Sequence, residues 1–331
     1  MSTRPRVVIV VLNWNGKEDT ADCIDSLAAI TYPNYAILVV DNGSTDGSVE
    51  FLKERYPHLE IAENNSNFGF GAGNNVGIEM ALNTDSEYVL LLNNDTIVDK
   101  HFLDYLVDEA QSDDRIGFVG PKIYRLYEGE NPEYAVWNTF RWKKMRLDAV
   151  ERKTLLHSAG GSFDPWLGRI RHRGAAEFDK GQYDERKAVD FVEGSCILAK
   201  REVITKIGLL DSAYFAYLED VDWCLRGQSS GFTTIYVPQA KIWHKTGKSS
   251  AHPIRTYYVA RNTFWLMQKR GTTLQYLAFL LSFMSIKLPL SLIIIAAFQR
   301  DNAALKPFVR GVLDGLRESP LGGQDAMCVL G

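Results

Sequence analysis

The stretch YVLLLNNDT, residues 88–96, is apolar for its first five residues and then turns at once into Asn93, Asn94, Asp95 and Thr96. A short apolar run without alternation reads as a strand buried on both faces, the usual state of a strand in a parallel sheet. Such a strand can offer polar groups only at its ends. Two amides and a carboxylate gathered at one end therefore ask for a purpose.

Three preceding runs repeat the design. VVIVVL (7–12) leads into LNWNG, AILVV (36–40) into DNGSTDGS, and LEIA (59–62) into ENNSNFGFGAGNN. Residues 17–30, 46–56, 71–83 and 100–111 carry apolar side chains at helical spacing, as with Ile24, Leu27 and Ala28, and IGFVGP (116–121) supplies a fifth strand. The alternation predicts an α/β fold: right-handed crossovers, a mostly parallel central sheet, and helices on both faces. Ligands of such sheets bind beyond the carboxyl ends of the strands. Four polar ends along one edge predict a shared site there.

Composition narrows the class. A chain of 331 residues, 46% hydrophobic, has ample material for a core, and a net charge of -4 gives no general attraction to nucleic acid. Cys23, Cys196, Cys224 and Cys328 are scattered without metal-type pairing, which predicts reduced thiols and a cytosolic compartment. VVIVVL is too short for a signal-peptide core and reads as the first strand. Residues 274–298 are apolar for long enough to cross a bilayer, but Lys287 and Pro289 fall near the middle, so a clean span is not expected. In NAALKPFVRGVLDGLRE (302–318), Leu305, Phe308, Val309, Val312, Leu313 and Leu316 share one helical face while Lys306, Arg310 and Arg317 lie towards the other. That pattern suits a membrane surface, a buried hairpin or a contact between two copies of the chain.

Each polar motif has a structural and a chemical reading. DNGSTDGS contains the usual turn formers, yet Asp41 at a strand tip can accept hydrogen bonds from a base or ribose. NFGFGAGNNVG offers a glycine-rich approach to a helix and hence to a phosphate, but it lacks the Lys-Ser/Thr of a Walker loop and the spacing of a dinucleotide fingerprint. Asp95 either caps the next segment or holds a hard divalent cation. Glu219, Asp220 and Asp222 in LEDVDWCLR suit the first turn of a helix, and three carboxylates in four residues also offer a general base. His244 is a packed residue, a cation ligand or a proton carrier, depending on its neighbours.

Taken together and in order, VVIVVLNWNG, VVDNGSTDGS, NFGFGAGNNVG, LLLNNDT, EGSCILAKREVITKIGLLDSAYFAYLEDVDWCLR and His244 resemble a family 2 glycosyltransferase of the GT-A fold, most of all the bacterial rhamnosyltransferase-type members that extend cell-surface glycans. The resemblance covers most of the chain. It implies an inverting, metal-assisted transfer of a sugar, rhamnose from dTDP-rhamnose as first choice, from a nucleoside-diphosphate donor to a hydroxyl of a glycan or lipid-linked glycan. On it, Leu12, Asn13, Asp41, Asn67, Gly71, Asn74 and Asn94 would line the nucleotide-sugar site. Asp95 with His244 would hold Mg2+ or Mn2+, and Asp220 would be the base, with Glu219 and Asp222 beside it. The family often shows Asp-x-Asp where this chain has Asn93-Asn94-Asp95, so cation binding without nucleotide is expected to be weak.

The implied layout is a nucleotide-sugar half (1–120), an acceptor and catalytic half (121–249), and a C-terminal helical region (250–331) on the cytoplasmic face of the membrane. Within it, residues 122–189, including His157, Trp166 and Arg171, are expected to shape the acceptor site. Rival readings are a polyprenyl-phosphate sugar synthase, a catalytically silent sugar-nucleotide binder and a dinucleotide oxidoreductase, the last disfavoured by the glycine spacing.

Overall fold

The polar-ended strands lie side by side and run the same way in the computed structural model, which describes residues 4–126, 133–138, 141–146, 151–245, 252–295 and 302–317. β1 (Val7–Asn13), β2 (Tyr35–Asp41), β3 (Glu60–Glu63) and β4 (Tyr88–Asn93) are parallel in the order β3-β2-β1-β4. Their register sets Asn13 opposite Asp41, Asp41 opposite Glu63, and Leu12 opposite Asn93. The four ends therefore finish level.

Alternation along the strands divides them between two cores. Val7, Ile9 and Val11 share one with Ile24 and Leu27 of α1 (Lys17–Leu27) and Leu52 of α2 (Ser48–Arg55). Val8 and Val10 share the other with Ile78 and Ala81 of α3 (Gly69–Leu82). Successive side chains of a strand point to opposite faces, so a strand apolar throughout must be covered on both.

Beyond β4 the chain forms β5 (Thr96–Val98), α4 (Phe102–Gln111) and β6 (Ile116–Leu126), then a separate hairpin of β7 (Glu133–Asn138) and β8 (Arg141–Arg146). The segment without periodicity contributes α5 (Glu151–Thr154), β9 (Leu156–Ser158), β10 (Gly161–Asp164), β11 (Arg169–His172) and β12 (Lys187–Val189). β13 (Cys196–Lys200), α6 (Arg201–Ile207), α7 (Glu219–Ser229) and β14 (Thr233–Lys245) follow. All but two hairpins join one sheet, ordered β12-β14-β6-β13-β4-β1-β2-β3, with β5 on β14 and β9 on β6. β13 runs antiparallel to β4 and β6, and β14 runs parallel to β6. Residues before and after 120 thus share one continuous sheet.

The structure revises three local expectations. α3 starts at Gly69, ahead of the expected 71, so the glycines of NFGFGAGNN form its first turns and are not an approach to it. β14 continues past TTIYVP through a register shift between Val237 and Lys241, which puts His244 within the strand. The chain also remains helical through Lys287 and Pro289: α8 (His252–Arg270) is followed by α9 (Thr273–Ser282), a π-helical turn at Phe283–Lys287 and α10 (Leu288–Ile293). Proline lacks an N–H and crowds the preceding turn, and the wider turn just before Pro289 accommodates it.

The helical region expected from residue 250 divides in two. Trp265 and Leu266 of α8 join the sheet core that holds Val8 and Val10, whereas Phe264 and Met267 pack with Phe279, Phe283, and Phe308 and Val312 of α11 (Asn302–Arg317). Cys23, Cys196 and Cys224 are buried free thiols; Cys328 lies outside the described residues, as do the last three residues of the 274–298 run.

Close approach of α3 to the sheet depends on glycine. A Cβ at Gly77 would stand 2.3 Å from Val10 Cγ1. Gly77→Ala is expected to cost about 1–3 kcal/mol through overpacking, read as a lower urea midpoint with an unchanged m value. A wild-type midpoint would mean that α3 moves freely off β1.

Candidate active site

At the level edge of the sheet the polar side chains bind one another. Asn13, buried, donates to Asp41 Oδ2 at 2.7 Å and Ser44 Oγ at 3.2 Å, while its Oδ1 accepts from Thr20 Oγ1 at 2.8 Å and Asn94 Nδ2 at 3.2 Å. Asn94 also donates to Thr20 Oγ1 at 3.0 Å. Asn42 donates to Asn67 Oδ1 at 2.9 Å, and Asn67 in turn accepts from the Gly69 N–H that opens α3. Asn13, Asp41, Asn67 and Asn94 thus stand along one edge, with Leu12 half-buried beside them. The two other candidates lie within α3: Asn74 donates to the Phe70 carbonyl at 3.0 Å, and a Cβ at Gly71 would stand 3.4 Å from the Asp211 carbonyl.

β14 brings His244 to the same edge, opposite Thr96 of β5 and Arg125 of β6. Its Nε2 lies 3.0 Å from Asp95 Oδ1 and 3.4 Å from Asn93 Nδ2, and the Lys245 N–H donates to the Asp95 carbonyl at 2.8 Å. Burial opposes the imidazolium, but the hydrogen bond and charge of Asp95 outweigh it and move His244 above the usual histidine range. Asp95 and His244, separated by about half the chain, are direct partners.

The three carboxylates at the start of α7 have three different environments. Asp222 is wholly buried and fully used: Oδ2 accepts from Arg226 Nε at 2.9 Å, and Oδ1 from Arg270 Nε at 2.7 Å and the Tyr214 hydroxyl at 3.3 Å. It is a structural ion pair, which corrects its place among the candidate bases. Asp220 accepts backbone N–H bonds from Gly194 and Val221, each at 2.8 Å, and keeps free lone pairs. Burial raises its carboxyl above the usual aspartate range despite those bonds. Glu219 is buried with Oε2 unpaired among the described residues, and burial followed by the nearby Asp220 charge raises it well above the ordinary glutamate value.

The loop delivering these carboxylates is strained. Phe215, Tyr217 and Leu218 have φ of 63°, 69° and 74°, a region that costs a non-glycine residue about 1–3 kcal/mol. α8 holds it in place. Asn262 Nδ2 donates to the carbonyls of Tyr214, Ala216 and Tyr217 at 3.0, 2.8 and 2.7 Å, and Arg261 Nη2 reaches Ala213 and Tyr214 at 3.1 and 2.9 Å. The Arg261 guanidinium, almost inaccessible, lies 4.0 Å from the Trp265 ring centroid. Neither residue stands out in the sequence, where both are part of an aromatic and basic stretch.

Glu193 was also missed as a site residue. It pairs with His157 Nε2 at 2.7 Å and stands 3.6 Å from His172 Nδ1, while its neighbour Gly194 holds Asp220. His157 lies edge-on to His244, with ring centroids 5.2 Å apart, and therefore belongs beside the Asp95 edge. Trp166 and Arg171 remain exposed.

A family model described as glycosyltransferase like family 2 matches residues 5–266, from the first strand to the loop-clamping helix. The chain belongs to this family. It is 28% identical over 248 residues to N-acetylglucosaminyl-diphospho-decaprenol L-rhamnosyltransferase of Mycobacterium tuberculosis, covering 72% of this chain and 75% of that one. It is also 28% identical over 157 residues to dTDP-rhamnosyl transferase RfbF of Shigella flexneri, covering 44% and 51%. The fold is GT-A: mannosyltransferase PcManGT from Pyrobaculum calidifontis, solved with GDP-Man and Mn2+, superposes with a TM-score of 0.55 at 14% identity, over 96% of this chain and 88% of that one. GalNAc-T7, solved with UDP, GalNAc and Mn2+, gives 0.55 at 14% identity over 89% and 58%. The matched region of this family 2 glycosyltransferase ends within α8, before α9.

Two substitutions separate the roles of the α7 carboxylates. Asp222→Asn strands two arginines and is expected to cost about 3–5 kcal/mol of stability, seen in urea unfolding. Glu219→Gln acts through pH. Above the ordinary glutamate pKa, about 4.3, the unfolded chain releases a proton that folded Glu219 keeps, so wild-type stability falls as pH rises towards the raised folded value. The variant should lose that part of the decline; an unchanged slope would show that Glu219 ionises normally in the fold.

Proposed function

We propose that the chain is an inverting, metal-dependent glycosyltransferase that moves rhamnose from a dTDP-linked donor to a hydroxyl of a lipid-linked glycan in cell-surface polysaccharide synthesis. The observation that carries the mechanism is the contrast at α7: Asp222 is consumed by two guanidiniums, whereas Asp220 is oriented by two backbone amides and keeps an accessible lone pair. The donor and acceptor are supported by the names of the two rhamnosyltransferase relatives, one of which includes a diphospho-decaprenol carrier.

In this reading Asn13 and Asp41 receive the nucleoside, with Leu12 against it and Asn67 and Asn94 holding the surrounding loops. Asp95 and His244 would hold Mg2+ or Mn2+, and the pairing of a buried carboxylate with an imidazole fits a divalent cation. When bound, the cation neutralises charge growing on the departing diphosphate. Asp220 removes the proton of the acceptor hydroxyl as its oxygen attacks the anomeric carbon. The bond to the diphosphate breaks on the opposite face, and the proton stays on the Asp220 carboxyl. Its raised pKa makes Asp220 a stronger base than an ordinary aspartate.

A phosphate acceptor is already ionised and needs no such base. Asp220→Asn should therefore lower kcat about 100-fold to 10,000-fold for a hydroxyl acceptor while nucleotide-sugar affinity is retained. Near-normal turnover would remove Asp220 from this role and favour phosphate as the acceptor. A panel of sugar nucleotides, assayed by metal-dependent binding, tests the donor.

We place the protein on the cytoplasmic face of the cell membrane. Support comes from Thr273–Ile293, an apolar helical stretch most of which is not buried. Leu274, Leu277, Leu281, Leu290 and Ile293 are exposed along it, and Val309, Leu313 and Leu316 of α11 are exposed close to Lys306, Arg310 and Arg317. Such a surface combines buried apolar area with attraction to anionic headgroups. Sedimentation with anionic vesicles should carry the protein down, and Leu277→Glu with Leu281→Glu should leave it in the supernatant. Equal sedimentation of both proteins would move the attachment elsewhere.

A further inference from the structure

We propose that the cation centre extends beyond Asp95 and His244: His157 and Glu193 complete it, and the resulting two-imidazole set selects Mn2+ or a later first-row ion over Mg2+ and binds it without nucleotide. The proposal rests on the reading of Asp95 and His244 as the cation site.

Topology brings these residues together. β9 and β14 flank β6, with Ser158 of β9 opposite Ile123 and His244 of β14 opposite Arg125. His157 therefore meets His244 across the end of β6. Glu193 enters from the turn before β13, which is closed by the Cys196 N–H donating to the Glu193 carbonyl at 3.1 Å. One ring nitrogen of each histidine and one carboxylate oxygen of Glu193 lie within 4.8 Å of one another. Ligands around an octahedral divalent ion stand about 3 Å apart when adjacent and about 4 Å when opposite.

The contacts already present pair each imidazole with a carboxylate. Glu193 Oε1 meets His157 Nε2 at 2.7 Å, and Asp95 Oδ1 meets His244 Nε2 at 3.0 Å. Both rings thus turn Nε2 towards the carboxylates, the arrangement that ligands of one shared cation require. Glu193 Oε2 is sequestered from solvent, has no hydrogen-bond partner among the described residues and stands 3.6 Å from His172 Nδ1. A buried carboxylate oxygen without a donor is costly unless something binds it.

Charge and donor type then determine the ion. Asn93 and Asn94 stand where a second aspartate is often found, and Glu193 returns that negative charge from the turn before β13. This reverses the expectation of weak binding in the absence of nucleotide. Mg2+ strongly prefers oxygen donors, whereas imidazole suits first-row transition ions.

The test is titration of the full-length protein with Mn2+ alone, following free Mn2+ by electron paramagnetic resonance. Wild type should bind one ion per chain, with electron spin-echo modulation from two imidazole nitrogens. His157→Gln keeps a donor for Glu193 but lacks the imidazole; it should weaken binding about tenfold or more and leave one coupled nitrogen. Glu193→Gln should weaken it similarly, and excess Mg2+ should displace Mn2+ poorly. Circular dichroism confirms that each variant is folded. Unchanged Mn2+ affinity in folded His157→Gln and Glu193→Gln, with loss in Asp95→Asn, would overturn this proposal and leave the Asp95–His244 reading standing. Failure of wild type to bind Mn2+ with or without nucleotide would overturn both.

Discussion

The Asn13 side chain is the joint of the sheet's working edge. Its amide nitrogen donates to Asp41 and Ser44, and its oxygen accepts from Thr20 and Asn94. One buried amide thereby ties β1 to the ends of β2 and β4 and to the start of α1. Each participant is at the end of a strand or first turn, where backbone pairing stops and side chains must supply the missing partners. Rigidity of this edge follows from satisfied polar groups, and the geometry of every residue beyond it depends on that rigidity.

A second constraint comes from the other end of the chain. Three non-glycine residues with positive φ precede α7, and such a conformation persists only where its surroundings over-determine it. Asn262 and Arg261 supply that hold from α8, which also shares a core with α9 and α11. The carboxylates of α7 are therefore positioned by a helix whose opposite face supports the exposed apolar surface. The loop before α7 and the exposed apolar surface are parts of one packed unit.

Much of the architecture was legible in the sequence because burial on both faces produces unbroken apolar runs. β1 to β4 and the helices between them are each visible as a run or a periodicity, and the four polar ends identify the edge. Glycines in NFGFGAGNNVG were misplaced for a physical reason. The same residue type serves a phosphate loop and a tight helix–sheet contact, and only the 2.3 Å approach of Gly77 to Val10 shows which is in force. Among the described residues of 122–189, the strands after β6 are only three to six residues long, too short to show a period, and four of them pair as hairpins outside the main sheet.

YVLLLNNDT by itself determined a buried strand that presents polar side chains at one end of a parallel sheet, since apolar surface must be covered and polar groups must be satisfied. Its sequence could not say what each polar residue does. The tertiary structure decided that Asn94 turns back to brace Asn13 and Thr20, that Asp95 meets His244, and that Asp222 belongs to Arg226 and Arg270. Apart from the Asp222–Arg226 pair within α7, these are contacts between residues far apart in the chain, set by how strands and helices assemble, which no single local segment encodes.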